Sequence, residues 1–184
     1  PQLGTVTATL IINEVTMPNL STILGRIGVV SDPADVVIAN PWGITCDGCG
    51  FINTGRATLA TGRPSLGSDG RLASLGIEGG TLTIGSMGLS AAGLRELDLM
   101  ARGITMVDGA VVQAEHVFAV AGRNTIDHAT LATTPLPDAG ALRAMGKRVT
   151  KFLPRLTSVD HAMSTVLVWA SPTWTLYSFV TTAR

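Results

Sequence analysis

The sequence predicts an all-β chain wound as a solenoid, and three observations carry that prediction. Short runs rich in Val, Ile, Thr and Leu recur roughly every 15 to 22 residues, the spacing of stacked β-solenoid coils. The chain has 21 glycines, and many of these runs end on one, as solenoid corners require. Hydrophobic residues make up 46% of the chain and charged residues only 14%, so the surface must be built largely from Thr, Ser, Asn and Gly. The repeat is one of pattern, not identity. A single coil cannot bury its apolar row, so neighbours must stack.

The elements follow in order. Thr5–Asn13 alternates β-branched and small residues and predicts a strand. Met17–Leu20 reads as a turn. Ile23–Val30 reads as a strand pair broken by glycine, and Ser31-Asp32-Pro33 as another turn. Val36-Val37-Ile38-Ala39 predicts a buried strand. Asn40-Pro41 ends it, because Pro41 has no amide donor and biases Asn40 away from helix. Gly43, Gly48 and Gly50 then allow tight turning, and strand character returns at Arg56–Ala60. Leu72–Gly80 reads as a short strand with a glycine corner, followed by strands at Thr81–Gly85, Leu97–Met106 and Ala110–Gly122. Ser90–Ala101 carries two readings. Leu94, Leu97 and Ala101 sit at helical spacing behind a capping Ser90, whereas Leu97-Asp98-Leu99 alternates as a strand. The predicted interior residues are Val37, Ile52, Leu59, Leu82, Ile84, Leu99, Val112 and Phe118.

At 184 residues the chain is one domain or part of one. Formal net charge is zero, from 13 basic and 13 acidic residues, which gives no nucleic-acid footprint. Catalytic patterns fail on inspection. Ser86 lacks the glycine two residues before it that a nucleophile elbow needs. Gly146-Lys147 is followed by Arg148 where a phosphate loop needs Ser or Thr. His116 lies in an apolar run, and Asp127-His128 has no visible nucleophile partner. His116, His128 and His161 are too far apart to complete a zinc site with Cys46 and Cys49 at finger spacing. No enzyme, cofactor or metal is expected.

Asn40-Pro41-Trp42-Gly43-Ile44 resembles the NPNGI motif of two-partner-secretion exoproteins, the family of filamentous haemagglutinins, related haemolysins and contact-dependent inhibition toxins. The following CDGCGFINT and Arg56–Pro64 are similar to the cysteine-containing branch of the family's N-terminal secretion domain. The likeness runs from about Leu10 to about Asp127, with the motifs in the family's order. Trp42 stands where the family usually has a second Asn, which would bond back to the turn backbone.

The resemblance implies a right-handed parallel β-helix with single-stranded coils, wound by one chain, over residues 1–146. It also implies a secretion-directing, fibre-nucleating role in an exported adhesin. The implied partner is an outer-membrane β-barrel transporter with periplasmic POTRA domains. Receptors on host or neighbouring cells would be met through further repeats. It implies secretion to the cell surface, although Pro1-Gln2-Leu3-Gly4 shows no signal-peptide pattern, so Pro1 is read as a truncation. Asn40, Pro41, Trp42, Gly43, Ile44, Asn53, Thr54 and Arg56 form a strip that is either structural or contacted by the transporter. In an exported protein Cys46 and Cys49 would form a disulfide closing a very small loop; unpaired structural thiols and a metal or redox pair are the alternatives. Two other functions compete: a non-functional truncated remnant of such an adhesin, and a β-solenoid polysaccharide-acting enzyme. The enzyme would need clustered carboxylates or basic residues on one face.

Composition changes near Gly146, after which there is no glycine. Lys147 and Lys151 are the only lysines, and Phe152, Trp169, Trp174, Tyr177 and Phe179 all follow. Residues 147–184 are therefore expected to be an irregular extension, foreign to the coils, that either folds across the last coil as an improvised cap or hangs loose and promotes association, the loose reading being preferred because no cap pattern is visible.

Overall fold

A strand-forming run reaches its corner after two to six residues, and the chain turns through three faces before returning above its start. The computed structural model describes residues 7–30 and 32–136, with the backbone of residues 164–170 and 173–179. The first coil is β1 (Leu10–Glu14), β2 (Ser21–Ile23) and β3 (Arg26–Gly28). The second is β4 (Asp35–Ala39), β5 (Ile44–Cys46) and β6 (Cys49–Ile52). The third opens with β7 (Arg56–Ala60), leaves the solenoid for β8 (Gly62–Leu66) and β9 (Leu72–Ile77), and returns as β10 (Thr81–Ile84) and β11 (Leu89–Ser90). The fourth is β12 (Glu96–Ala101), β13 (Gly103–Val107) and β14 (Val112–Gln113). β15 (His116–Ala121) begins the fifth, followed by β16 (Asn124–Asp127) and β17 (Thr133–Pro135).

Stacking generates three parallel walls. Sheet A runs β1-β4-β7-β12-β15, sheet B includes β13-β10-β5-β2, and sheet C runs β14-β11-β6-β3. Glu96 lies beside His116, 20 residues on, and Val36 beside Ala57, 21 residues on. This is the right-handed parallel β-helix that the sequence and its resemblance imply. The Ser90–Ala101 segment resolves as strand. β11 ends at Ser90, Gly93 turns at φ +85°, and β12 begins at Glu96.

Two cores flank sheet A, because its side chains alternate across the wall with period two. Val36, Ile38, Ala57, Leu59, Leu97 and Leu99 fill the lumen with Ile44, Leu82, Ile84 and Ile104. Val37, Ala39, Ala60, Met100, Phe118 and Val120 point the other way and meet Leu72, Leu75, Ile77 and Ile126. Those last four come from a fourth, antiparallel sheet, β17-β16-β9-β8, which covers the outside of sheet A.

Several expectations need correcting. Leu72–Ile77 is not a coil strand but half of the excursion hairpin, so Arg56 meets its successor Glu96 after 40 residues. Val37 and Phe118 are buried in the outer core rather than inside the coils. Ile52 faces solvent at 49% exposure, because Cys49 and Phe51 take the inward positions of β6. Val112 is only partly buried, packed against the lumen cluster. The boundary expected at Gly146 lies outside the described residues. The extension beyond it is not wholly irregular or loose. Its backbone forms β18 (Ser164–Ala170) and β19 (Thr173–Phe179), and β19 pairs antiparallel with β13, Ile104 opposite Leu176. Both segments are rich in Thr, Val and aromatic residues, which favour strand, and the edge of β13 offers unpaired backbone groups.

Candidate functional site

The Asn40–Ile44 motif is the corner where sheet A turns into sheet B. Asn40 is fully buried, so each of its polar groups needs a partner. Its Nδ2 donates to the Asn19 carbonyl and to Ser21 Oγ, both at 2.8 Å, and its Oδ1 accepts from the Trp42 amide at 2.9 Å. The Gly43 amide closes the turn on the Asn40 carbonyl at 3.1 Å, and the Asn40 amide donates to the Ala60 carbonyl at 2.9 Å. One side chain thus ties the first coil to the second and shapes the turn after Pro41.

Two positions here require glycine, Gly43 for its backbone angle and Gly80 for both its angle and the close approach of the neighbouring coil. Gly43 holds φ +130°, and a Cβ there would lie 2.8 Å from Leu20 Cδ2. Gly80, at φ +70° in the next coil, would place a Cβ 2.8 Å from the Pro41 carbonyl oxygen. Buried Thr61 continues the column. Its Oγ1 donates to the Gly79 carbonyl at 2.8 Å and accepts from the Arg102 amide at 3.3 Å. Ile44 enters the lumen.

Trp42 does not need the left-handed conformation, which among the described non-glycine residues only Asn53 and Leu131 adopt. The turn backbone is bonded at the Trp42 amide by the Asn40 side chain. The indole packs under the Arg63 guanidinium, 5.3 Å from carbon to ring centroid, and helps line an open cleft of about 580 Å³ with Thr45, Thr83 and Arg102. The lining contains no carboxylate, so it offers no acid–base pair.

The next corner, between sheets B and C, holds Cys46 and Cys49 joined in a disulfide with a Cα–Cα distance of 5.3 Å. Both face the lumen core. Asn53 lies past the end of β6 at φ 57°, a value Asn tolerates, and its Nδ2 donates to the Val29 carbonyl at 3.0 Å. Thr54 Oγ1 donates to the Ile52 carbonyl at 3.3 Å.

Arg56, the last residue of the strip, stands at the start of β7. It projects outward from sheet A yet is only 8% exposed, because the antiparallel sheet covers it. Its Nε donates to Asp98 Oδ2 at 2.7 Å, and its Nη1 to the His128 carbonyl at 2.9 Å. Thr58 Oγ1 donates to the same Asp98 oxygen at 2.7 Å, and the Arg56 amide to Asp35 Oδ1 at 2.9 Å. Asp98 is 0% exposed. Burial pushes its carboxyl above the usual carboxylate range, against the opposing pull of the Arg56 charge and the Thr58 and Arg56 hydrogen bonds. Sequence reasoning missed Asp98. The only signal that could have found it was coil register, which sets Thr58 beside Asp98.

The comparisons with known proteins agree with this architecture. The family model described as TPS secretion domain matches residues 4–151. The tRNA nuclease CdiA of Escherichia coli (strain STEC_O31) is 44% identical over 116 residues, covering 63% of this chain and 4% of that protein. The tRNA nuclease CdiA-2 of Burkholderia pseudomallei (strain 1026b) is 39% identical over 133 residues, covering 72% of this chain and 4% of that protein. The nuclease in those names belongs to proteins of which this chain spans about 4% of the length. The crystal structure of a filamentous hemagglutinin secretion domain superposes with a TM-score of 0.62 at 36% identity, over 71% of this chain and 45% of that one. The chain belongs to the TPS secretion domain family, the N-terminal domains of two-partner-secretion exoproteins.

Proposed function

We propose that this domain directs export of a longer exoprotein through a dedicated outer-membrane transporter, a β-barrel with periplasmic POTRA domains. The chain crosses unfolded, winds into its coils outside and nucleates the fibre behind it. The single observation behind this reading is the secretion-domain match over residues 4–151, which takes in every coil described. Adhesion, and any receptor on a host or neighbouring cell, belong to the longer protein.

The motif residues have two successive roles in this reading. In the folded coil Asn40 and Arg56 are buried and bonded to the protein, so a transporter meets them only in the extended chain. Asn40, Pro41, Trp42, Gly43, Ile44, Asn53, Thr54 and Arg56 are then part of a segment read by strand addition, whose Thr, Val and Ile content suits edge pairing. After transit the same residues build the corner and the covered face of sheet A. The Cys46–Cys49 bridge pins the second corner; closing only a short loop, it leaves the chain thin enough to pass.

The test is export of the full chain, given a signal peptide and a C-terminal reporter, with and without a paired transporter. Expected is transporter-dependent reporter in the medium, lost on replacing Asn40-Pro41 by Ala-Ala. Reporter held in the periplasm despite the transporter would overturn the reading and favour a non-functional remnant.

A further inference from the structure

The outer face of sheet A holds two neighbouring rows that differ in one respect. Ala39, Ala60, Met100 and Val120 stand in register across four coils and are all apolar. Beside them Val37, Thr58, Asp98 and Phe118 form an equivalent row, apolar at both ends and polar in the middle. Thr58 and Asp98 are buried as completely as their apolar neighbours, and Arg56 lies over them. An apolar pair would suit this position, since the antiparallel sheet already seals the face.

The polar cluster is a poor device for stability alone. Arg56 Nη2 and Asp98 Oδ1 are buried without a hydrogen-bond partner. Taking two charges out of water is costly, and an incompletely bonded pair recovers less of that cost. Every partner of Arg56 also comes from a distant segment. Asp35, which accepts from the Arg56 backbone amide, is 21 residues away; at the guanidinium, Asp98 is 42 residues away, Glu96 lies 3.8 Å off in the same strand, and His128 is 72 away. The adjacent strand β12 supplies the carboxylate at Nε, but Nη1 finds its partner, the His128 carbonyl, only when the antiparallel sheet is in place. A chain that lays the antiparallel sheet over β7 before β12 has docked buries an unpaired cation, so β12, 40 residues on, must join β7 before the cover closes.

We propose that the Arg56–Thr58–Asp98 cluster is a kinetic brake on folding, which keeps the chain extended long enough to be exported. The export half of this inference rests on the function proposed above; the folding half does not. Replacing a buried ion pair with apolar residues of similar volume can preserve a fold and quicken its formation, which is how a brake differs from a clamp.

The experiment compares the full oxidised chain with the triple variant Arg56→Met, Thr58→Val, Asp98→Leu and with the single variant Asp98→Asn. Refolding from urea is followed by intrinsic fluorescence, and export is measured with the paired transporter. The triple variant is expected to refold about tenfold faster than wild type, and Asp98→Asn no faster than wild type. The triple variant should also accumulate folded in the periplasm, with a lower secreted yield. Refolding of the triple variant at or below the wild-type rate would overturn the brake. So would its failure to fold, since the cluster would then be a requirement of the fold. Faster refolding with undiminished secretion would overturn the link to export. Because refolding needs no transporter, a chain that no transporter exports would sink the proposed function and leave the rate comparison standing.

Discussion

Sheets A and B are wound from the same coils, yet they solve opposite problems. Sheet A is covered on both faces, by the lumen and by the antiparallel sheet. Its strands read as near-continuous apolar runs, DVVIA in β4 and HVFAVA in β15. Sheet B has one dry face and one open one. Ile44, Leu82 and Ile104 point inward, while Thr22, Thr45, Thr83 and Thr105 stand in register outside. One backbone architecture thus accepts two side-chain patterns, and the pattern records which wall carries a second layer. The difference also sets tolerance to substitution. Changes on the outer face of sheet A should be felt as core changes, and changes on the outer face of sheet B as surface changes.

The largest separation should come from the buried charge. Asp98→Ala takes the main partner from the buried Arg56 and leaves it only the Glu96 carboxylate at 3.8 Å and the His128 carbonyl, a loss that typically costs about 3–5 kcal/mol. Thr83→Ala, one wall away and half-buried, should cost no more than about 0.5–1 kcal/mol. Urea midpoints of the two variants measure the difference. Equal midpoints would mean that the antiparallel sheet does not seal sheet A in solution.

Next come the apolar residues of the outer core. Phe118→Ala removes a ring packed outside the solenoid and should cost about 3–5 kcal/mol, close to the loss from Leu82→Ala in the lumen, about 2–5 kcal/mol. If Phe118→Ala behaves like a surface substitution, the second core is not load-sharing with the first, and sheet A reduces to a one-sided wall like sheet B.

These two comparisons also mark where sequence reading succeeded and where it ran out. The coils were legible because strands of two to six residues alternate with Gly, Pro and Asn corners, and that punctuation is local. The corner at Asn40–Gly43 was legible for the same reason. The excursion at Gly62–Ile77 was not, because Leu72–Ile77 carries the same short-strand and glycine signals as a true coil strand. Without the excursion the second core is invisible, so Val37 and Phe118 could only be assigned to the lumen. Ile52 failed by one residue of phase, since Cys49, Phe51 and Ile52 are all apolar and nothing local says which points in. The Arg56–Asp98 pair spans 42 residues and becomes adjacent only once register is known.

The disulfide separates the walls more gently. It joins the end of β5 in sheet B to the start of β6 in sheet C, well away from the covered face of sheet A. Its loop is very short, so little entropy is removed from the unfolded chain. Replacing both cysteines with serine, or reducing the bond, should lower stability by about 1–2 kcal/mol. Thiol counting under denaturation should find none before reductant and two after. Two free thiols in material made in an oxidising compartment would remove the bridge from sheet B's account.

The smallest effect concerns pH, and it too should be confined to the covered side. His128 lies between β16 and β17, where its carbonyl accepts from Arg56. Burial, and then the Arg56 charge, hold its imidazole below the ordinary value of 6.5, while Asp35, Asp127 and Glu96 pull the other way. A depressed folded value means that the unfolded chain binds the proton more readily. The stability His128 contributes is therefore present above about pH 6.5 and lost as pH falls through its folded value. Asp98 has the opposite sign. Its raised carboxyl favours the folded state below 3.8, and that contribution is lost as pH rises above it. Acidification from about pH 7 to about pH 5 should thus lower the urea midpoint through His128, with any proton uptake by Asp98 in that window acting in the opposite direction. His128→Gln should flatten that fall, whereas Thr83→Val, on a face whose register row is threonine throughout, should reproduce the wild-type slope. An unchanged slope in His128→Gln would mean that the imidazole titrates as it does in the unfolded chain, and that the edge of the covering sheet stands open to water there.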